Sequence, residues 1–555
     1  MRESAITHPE TITRVASGRS SDQYVSVRLT LSTAAIRRES KGLQLEPEET
    51  VLVAVPRHPL LPPTVVVGHR RFAGFPHVLT GDELCIYLDP SREWDPAAGV
   101  EAFLDRLFRW FEDAAAGRFS GRTALFHPIG GRPVAARDAT VVVCRQVLPI
   151  DRELSFAFLV ERDSHRFDLV ASDAPAGAEQ VLVARAPTQF PYGPGKTVAE
   201  LLTGLGEAGG RAWLALQGRL TRRMNTAGVD ATVRVHVVVA VPHVDPEAFY
   251  LLVGRVSVPS GRSQAPETLD VEWLSVSDDR PDSATRRDQR RPASAFYDRD
   301  VLLLGCGGLG SWISEFVARA GARSVALADP ARVSGGLLVR QNYADADIGQ
   351  NKAEALARRL HAVAPECDVR VLADSVFSPR TAEIFAQTGA VLIDATVNRA
   401  VAQILDAGLT NSKRRAAVAQ VATDVATGSL GMLVYAAPEL LCAAHTLDVM
   451  AWDAVSTDSR LEPYYTFWNP AEQDELVPAP GCSIPTFHGS AADMAAVAAE
   501  MVNLIAAHLN TPVSATHLFA LPHSGVQPAH HIVTHPTHAS PVAAGDPDAA
   551  GDPGQ

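Results

Sequence analysis

Cysteine is scarce and never paired: six residues in 555, each isolated in the chain. Without a C-x-x-C there is neither a redox dithiol nor the two-pair ligand set of a structural zinc. Isolated thiols suit a reducing compartment, and a cytoplasmic protein is expected. The opening MRESAITHPE has no apolar core, so no secretory signal is expected either. Long uninterrupted hydrophobic runs are also missing. The most apolar helical stretch, 491–509, is broken by Asp493, Glu500, Asn503 and His508, which predicts a buried helix and not a membrane span. Nor is there a basic excess. The formal net charge of −13 argues against a nucleic-acid-binding surface as the main business.

What remains is ordinary globular material, 46% hydrophobic and 20% charged, long enough for three or four domains. Its sharpest feature is VLLLGCGGLG at 301–310, followed by an amphipathic run over 311–320. Four apolar residues, a glycine-rich turn and a helical period predict strand, phosphate-binding turn and helix. Gly305, Gly307 and Gly310 fit G-x-G-x-x-G. Glycine permits the tight turn and close backbone approach, and the helix N-terminus offers N–H groups to a phosphate. A second strand, SVALAD, ends at Asp329, whose carboxylate can hold ribose hydroxyls. Alone, this reads as a nucleotide site, with a dinucleotide the usual occupant. Arg340-Gln341, then DIGQNK ending at Lys352, then VLIDAT with Asp394 closing a strand, redirect that reading. Two cations and a carboxylate suit a triphosphate with its magnesium ion; a hydride carrier has little use for them.

This series resembles the adenylating domain of the ubiquitin-activating, ThiF and MoeB superfamily, over about 296–509. The resemblance implies ATP held by Gly305, Gly307, Gly308, Gly310, Asp329, Arg340 and Lys352, with magnesium (Mg) on Asp394. It also implies a homodimer, since one glycine-rich motif is present and small relatives without an internal repeat pair through this domain. One position departs from the pattern. An asparagine usually stands three residues before the arginine, and here Leu337 does. Strand–helix alternation through 324–328, 351–364, 369–372, 390–394 and 417–421 predicts a doubly wound sheet. Further on, Cys482 in PGCSIPTFHGS is expected on a Gly/Pro-bracketed loop before a helix starting near Gly489, where a thiol pKa can be depressed. That segment resembles the cysteine region of bacterial activating enzymes fused to a conjugating domain. Cys306 reads as fixed by the turn and inert, Cys442 as core.

Upstream, alternation in QYVSVRLTL from Gln23, and the runs 51–55 and 64–67, predict three strands. An apolar-periodic helix over 99–116 carries Phe103, Leu104, Leu107, Phe108 and Phe111. Residues 1–20 are polar and expected to be poorly held. The order of a small sheet, Pro59, Pro62 and Pro63, then Cys85-Ile86-Tyr87-Leu88, Trp94, Pro96 and a helix resembles the ubiquitin-conjugating fold over roughly 20–125. The resemblance makes Cys85 the acyl-accepting thiol. Conjugating enzymes usually carry H-P-N before that cysteine, with the asparagine stabilising the oxyanion. Here Phe75-Pro76-His77 puts His77 in that place, and an imidazole can also donate to an oxyanion. The competing reading is a buried cysteine in an ordinary α/β domain.

Residues 140–276 show strand-like runs at 140–143, 181–185, 233–241 and 250–258, with a helix near 197–205. GPGKT at 193–197 lacks the glycine that a P-loop needs six residues before its lysine; Phe190 is there, and a turn capped by Thr197 is expected. The charged, proline-containing 277–295 reads as a solvated connector, and the histidine-containing 526–555 as a disordered tail. The expected plan is multidomain α/β. An α+β ubiquitin-conjugating-like domain spans 1–135, and an α/β linker domain without assigned role spans 136–290. A doubly wound, Rossmann-like adenylating domain spans 291–525, followed by the tail.

The pairing of these halves resembles the two-headed ligation enzymes of anti-phage CBASS operons, which attach the C-terminus of a cyclic-nucleotide synthase to other proteins. It implies ATP-dependent adenylation of a partner's C-terminal tail, the partner being a cyclic-nucleotide synthase or a ubiquitin-like protein. Capture by Cys482, transfer to Cys85 and delivery to a target amine follow, with Arg340 stabilising charge and no nucleic acid or membrane involved. Three alternatives stand: sulfur-carrier activation of the ThiF/MoeB type, a non-catalytic scaffold and a nicotinamide dehydrogenase. The conjugating-type half counts against the first, the retained cysteines with Lys352 and Asp394 against the second, and the Arg/Lys/Asp set against the third.

Overall fold

The computed structural model describes residues 11–119, 123, 127–131, 134–135, 140–172, 174–226, 231–243, 248–259, 265–280, 288–372, 388–409, 415–438, 440, 444–469, 476–479, 482–485 and 488–535. The chain divides into two compact units, Met1–Thr285 and Arg286–Gln555.

The first unit opens with a six-stranded antiparallel sheet in the order β1-β2-β3-β4-β6-β5. Its strands are β1 (Ile12–Ser20), β2 (Tyr24–Ser32), β3 (Glu48–Pro56), β4 (Thr64–Val67), β5 (Val78–Leu79) and β6 (Glu83–Leu84). Alternation sends Leu29, Val51, Val53 and Val65 to one face, where helix α1 (Gly99–Ala115) covers them with Phe103, Leu107, Trp110 and Phe111. The expectation that residues 1–20 are poorly held fails over 12–20. β1 is polar because it is an edge strand, held by its ladder to β2 more than by apolar burial. Gly18 is required there: a Cβ would lie 2.6 Å from the Ser26 carbonyl oxygen, while Ser26 Oγ accepts from Arg19 N at 2.8 Å.

The same unit continues into a closed seven-stranded barrel, ordered β10-β11-β12-β13-β7-β9-β8. Its strands are β7 (Val141–Cys144), β8 (Leu154–Asp163), β9 (Arg166–Val170), β10 (Glu179–Arg185), β11 (Thr232–Pro242), β12 (Phe249–Pro259) and β13 (Val271–Asp278). β10 and β11 run parallel, so a crossover is required; helices α2 (Val198–Gly204) and α3 (Ala208–Thr226) supply it. Along β11 alternate residues serve two cores. Val238 joins a cluster drawn from all seven strands, and Val237 and Val239 pack under the helices. Closure into a barrel has no signature in the linear pattern, which showed only four of these strands. At GPGKT, Thr197 caps α2 through a capping box with Glu200, as the turn reading expected.

The second unit is an eight-stranded sheet ordered β16-β15-β14-β17-β18-β19-β22-β23. Five parallel strands lead: β14 (Asp300–Leu304), β15 (Ser324–Ala328), β16 (Asp368–Val371), β17 (Val391–Asp394) and β18 (Ala417–Thr423). β19 (Leu430–Ala436), β22 (Ala515–Ala520) and β23 (His530–Thr534) extend it antiparallel; β20 (Leu476–Ala479) and β21 (Cys482–Pro485) form a separate ribbon. Helices α4 (Gly308–Arg319), α5 (Lys352–Val363) and α8 (Ala491–Asn510) contribute to one core, and α7 (Ala444–Val455) and Val401 and Leu405 of α6 (Arg399–Leu409) to another. By length and composition α8 could cross a membrane, but Met494, Val497, Met501 and Ile505 are buried in this core. The tail expected from 526 begins later. β23 pairs with β22, and His530 Nε2 lies 3.0 Å from His517 Nδ1. Residues 536–555 lie outside the described set.

Candidate functional site

Strand order reverses around β14, the position at which doubly wound sheets collect ligands. In register, Leu304 of β14 faces Ala328 of β15 and Asp394 of β17. The next residues of the first two strands, Gly305 and Asp329, thereby lie at the carboxyl edge one residue beyond Asp394. Gly305 adopts φ +85°, and a Cβ on it would come within 2.9 Å of the Ala395 backbone. On Gly310 a Cβ would lie 1.9 Å from the Gly305 carbonyl oxygen. These two glycines make the turn possible. Gly307 and Gly308 do something else. A Cβ on Gly307 would meet nothing within 4 Å, and one on Gly308 only the flexible Met494 side chain. Gly307 is also the N-cap of α4 and offers no side-chain cap, so the first N–H groups of the helix are left for a ligand.

The other predicted residues gather around this turn. Asp329 accepts from Cys306 N and Ala331 N, each at 2.8 Å, so its carboxylate shapes the loop. Tyr343 donates to the Cys306 carbonyl at 2.6 Å and to that of Lys352 at 3.3 Å. Asn351 caps α5 and donates to the Asp329 carbonyl at 3.0 Å. Lys352 therefore opens α5 beside the loop, 8% exposed, its ammonium making no ion pair among the described residues. Half-buried Arg340 is tied to α4 through Trp312, whose Nε1 donates to its carbonyl at 3.2 Å, and burial lowers the guanidinium pKa. Tyr343, Asn351 and Trp312 were not singled out from the sequence. An asparagine directly before a helix is a cap signal that could have marked Asn351.

Asp394 is 1% exposed. Its Oδ1 accepts from Thr396 N at 3.0 Å and Thr396 Oγ1 at 2.7 Å, while Oδ2 is buried without a partner among the described residues. Burial raises its pKa against the pull of Thr396. An unmet carboxylate oxygen at the switch point, beside open N–H groups and a lysine, fits a divalent cation whose other ligands are phosphate oxygens. Cys482 lies in β21 of the ribbon and not on the expected loop, because pairing with Ala479 takes up its backbone. Its side chain, like all of Cys442, lies outside the described residues. Cys306 is fully buried, and burial together with Asp329 pushes its thiol up.

In the first unit, Cys85 follows β6 and is half-buried; its Sγ donates to the Tyr87 carbonyl at 3.4 Å. Burial, then Glu83 and Glu93, raise the thiol pKa, with Arg106 opposing. Cys85 N donates to the His77 carbonyl at 2.9 Å, so the backbone of His77 does hold the cysteine turn. The imidazole sits differently from the expected oxyanion donor. His77 has φ +64° and is 6% exposed, its Nε2 is 2.8 Å from Thr123 Oγ1, and its ring meets Phe119 edge-on. Burial, then His127 and Arg106, lower its pKa and keep it neutral. Beside Cys85, a cleft of about 460 Å³ is lined by Tyr87, Glu93, Trp94, Asp105 and Arg106. Trp94 Nε1 donates to the Pro59 carbonyl at 3.0 Å, which joins two of the sequence motifs in space.

A glycine-lined turn at a switch point and a half-buried cysteine mark a candidate site in each of the two units. The ThiF family model matches residues 294–515, and that of prokaryotic E2 family A matches residues 11–137. The chain thus joins a ubiquitin-conjugating-like domain to a ThiF-type domain. It is similar to the tRNA threonylcarbamoyladenosine dehydratase of Escherichia coli (strain K12), 36% identical over 101 residues, 18% of this chain and 38% of that protein. The molybdopterin-synthase adenylyltransferase of the same organism is 35% identical over 115 residues, 20% and 46% of the two chains. The ATP-dependent ubiquitin transferase-like protein Cap2 of Enterobacter hormaechei subsp. hoffmannii (strain UCI 50) is 28% identical over 109 residues, 20% and 18%. The chain therefore spans less than half the length of these curated relatives. The crystal structure of E. coli MccB with AMPCPP and MccA aligns at 14% identity over 45% of this chain and 67% of that one, at a TM-score of 0.32. A score that low carries no weight.

Proposed function

We propose that this chain adenylates the C-terminal carboxylate of a partner protein with ATP and conjugates the resulting acyl group to a target amine. The observation that carries the reading is the unmet Asp394 Oδ2 beside the open N-terminus of α4 and Lys352, in a chain that also has the Cys85 cleft. A carboxylate oxygen of the partner attacks the α-phosphorus and pyrophosphate leaves. Gly307, Gly308 and the first turn of α4 hold phosphate oxygens, Asp329 faces the ribose, and Arg340 and Lys352 offset the growing charge. A magnesium ion on Asp394 would neutralise phosphate charge there. The thiolate of Cys482 takes the acyl group and AMP leaves; Cys85 takes it from Cys482 by thioester exchange; an amine takes it from Cys85 and the thiol departs.

The likeness to Cap2, by name an ATP-dependent ubiquitin transferase-like protein, supports a CBASS-type role in which the donor is a cyclic-nucleotide synthase or a ubiquitin-like protein. A homodimer through the ThiF-type domain, a cytoplasmic setting, and domain limits at 135 and 290 belong to the same proposal. The test is ATP–pyrophosphate exchange by the full chain with the cognate donor. Exchange should require the donor's terminal carboxylate and should be lost in Lys352→Ala. Exchange that persists when the donor's terminal carboxylate is amidated overturns the reading. Sulfur-carrier activation gains from the likeness to the molybdopterin-synthase adenylyltransferase. It predicts exchange without any thioester at Cys85.

A further inference from the structure

The barrel carries a basic recess that neither proposed acyl-transfer centre uses. Residues three and four apart share one face of a helix, and Arg219, Arg222 and Arg223 stand so in the last two turns of α3. With Glu179 and Gln180 of β10 and Val235 of β11 they line a cavity of about 200 Å³. Arg219 is 8% exposed. Its guanidinium lies 5.0 Å from the centre of the Phe156 ring and donates to the main-chain and side-chain oxygens of Gln180. Arg223 donates to the Arg234 carbonyl at 2.7 Å and pairs with Glu179 at 3.3 Å. Arg222 is exposed at the rim, with its Nε bonded to the Gly218 carbonyl at 3.2 Å.

The charges in this recess do not balance. Glu179 is the one carboxylate in the described lining, and it is already engaged: Oε2 accepts from His236 Nδ1 at 2.8 Å and Oε1 from His236 N at 3.1 Å. Burial works to raise its pKa, but His236 and Arg223 hold it below the usual carboxylate range. Three guanidinium groups therefore surround one occupied carboxylate, in a chain whose net charge is −13. Like charges at helical spacing repel, and burial increases that cost unless an anion completes the set.

The geometry points to a binding site for a compact phosphate dianion, a phosphate or diphosphate group, in this recess of the barrel. Planar guanidinium forks match phosphate oxygens in pairs, which carboxylate-free ammonium groups do less well. Phe156 and Gln180 hold Arg219 in place beforehand, so ordering costs are low. The C-terminal end of α3 has no free N–H groups to offer, so recognition falls to the side chains.

The test uses the full chain carrying Lys352→Ala, which weakens the competing phosphate site in the ThiF-type half, so that the response to Arg222→Glu assigns the binding to the recess. Calorimetric titration with inorganic pyrophosphate, and separately with inorganic phosphate, is run at fixed ionic strength. One saturable site is expected, weakened about tenfold or more by Arg222→Glu. Arg222 is exposed, so the reversal leaves the barrel folded, and an unchanged melting curve verifies this. An acidic peptide at the same ionic strength should not compete. Absence of saturable binding, an affinity indifferent to Arg222→Glu, or equal competition by the peptide would each overturn the assignment.

Discussion

A carboxylate taken out of water with one oxygen unmet costs free energy that the fold must recover elsewhere, and Asp394 is in that position. Thr396 satisfies Oδ1 with two hydrogen bonds, and nothing among the described residues satisfies Oδ2. A residue kept at such cost is explained if a ligand supplies the missing contact. Asp394→Asn removes the buried charge at almost constant shape. In magnesium-free buffer the variant should therefore melt at least as high as the parent. It should also lose the rise in melting temperature that MgATP gives the parent, since stabilisation by a ligand follows its affinity. A variant that melts several degrees lower without ligand, yet keeps the MgATP shift, contradicts the role. Gly305, Asp329, Lys352 and Asp394 were legible as candidates because the turn, strand ends and helix start they occupy leave marks of residue type and spacing. Tyr343, Asn351 and Trp312 were not, since their contribution is a contact to a loop far away in sequence.

At the scale of elements, legibility followed periodicity. The buried strands of the parallel sheet and the helices α1, α4 and α5 announce themselves through apolar runs and caps. The edge strands β1 and β23 do not, because one face and one ladder of each stay open to water. GPGKT shows why context decides a motif. Lys196 N and Thr197 N both donate to Glu200 Oε2, and Thr197 Oγ1 accepts from Glu200 N at 3.2 Å, so the segment is spent on capping α2. Thr197→Ala should lower stability by about 1 kcal/mol and leave pyrophosphate exchange untouched. A loss of exchange in Lys196→Ala would reinstate a P-loop. β23 is fastened by a file of histidines: His508 Nε2 is 2.7 Å from His517 Nε2, and His517 Nδ1 is 3.0 Å from His530 Nε2. Burial, then His508 and His530, push the His517 pKa down from 6.5 to about 4. The unfolded chain takes up a proton below 6.5 that the folded chain refuses until about 4, so stability should fall as pH falls through that window. The melting temperature should drop by several degrees between pH 7 and 5, and His517→Gln should blunt the drop. An identical pH dependence in that variant would remove His517 as its source.

On the scale of the whole molecule, the proposed chemistry is divided between two units. Cys482 lies in the unit with the candidate nucleotide site, and Cys85 lies within residues 11–137, which match the prokaryotic E2 family A model. The order of the thiols follows from energetics. A mixed anhydride acylates a thiolate downhill, exchange between two cysteine thioesters is nearly balanced, and amide formation is downhill again. In the proposed function the relay therefore runs from adenylate to Cys482, then Cys85, then amine. Burial, then Glu83 and Glu93, raise the Cys85 thiol pKa, with Arg106 opposing. With ATP and the donor, Cys482→Ala should show no thioester at all on a non-reducing gel. Cys85→Ala should retain one, cleaved by reductant, and should form no amide. His77 belongs to the second step through its carbonyl, which accepts from Cys85 N; its ring is held by Thr123 and Phe119. His77→Asn, which tolerates the same positive φ, should therefore form amide at nearly the parental rate, whereas a branched residue such as valine should strain the turn and slow transfer. If Cys482→Ala still loads Cys85, the adenylate is being captured directly by the conjugating-like unit, and Cys482 has no part in the relay.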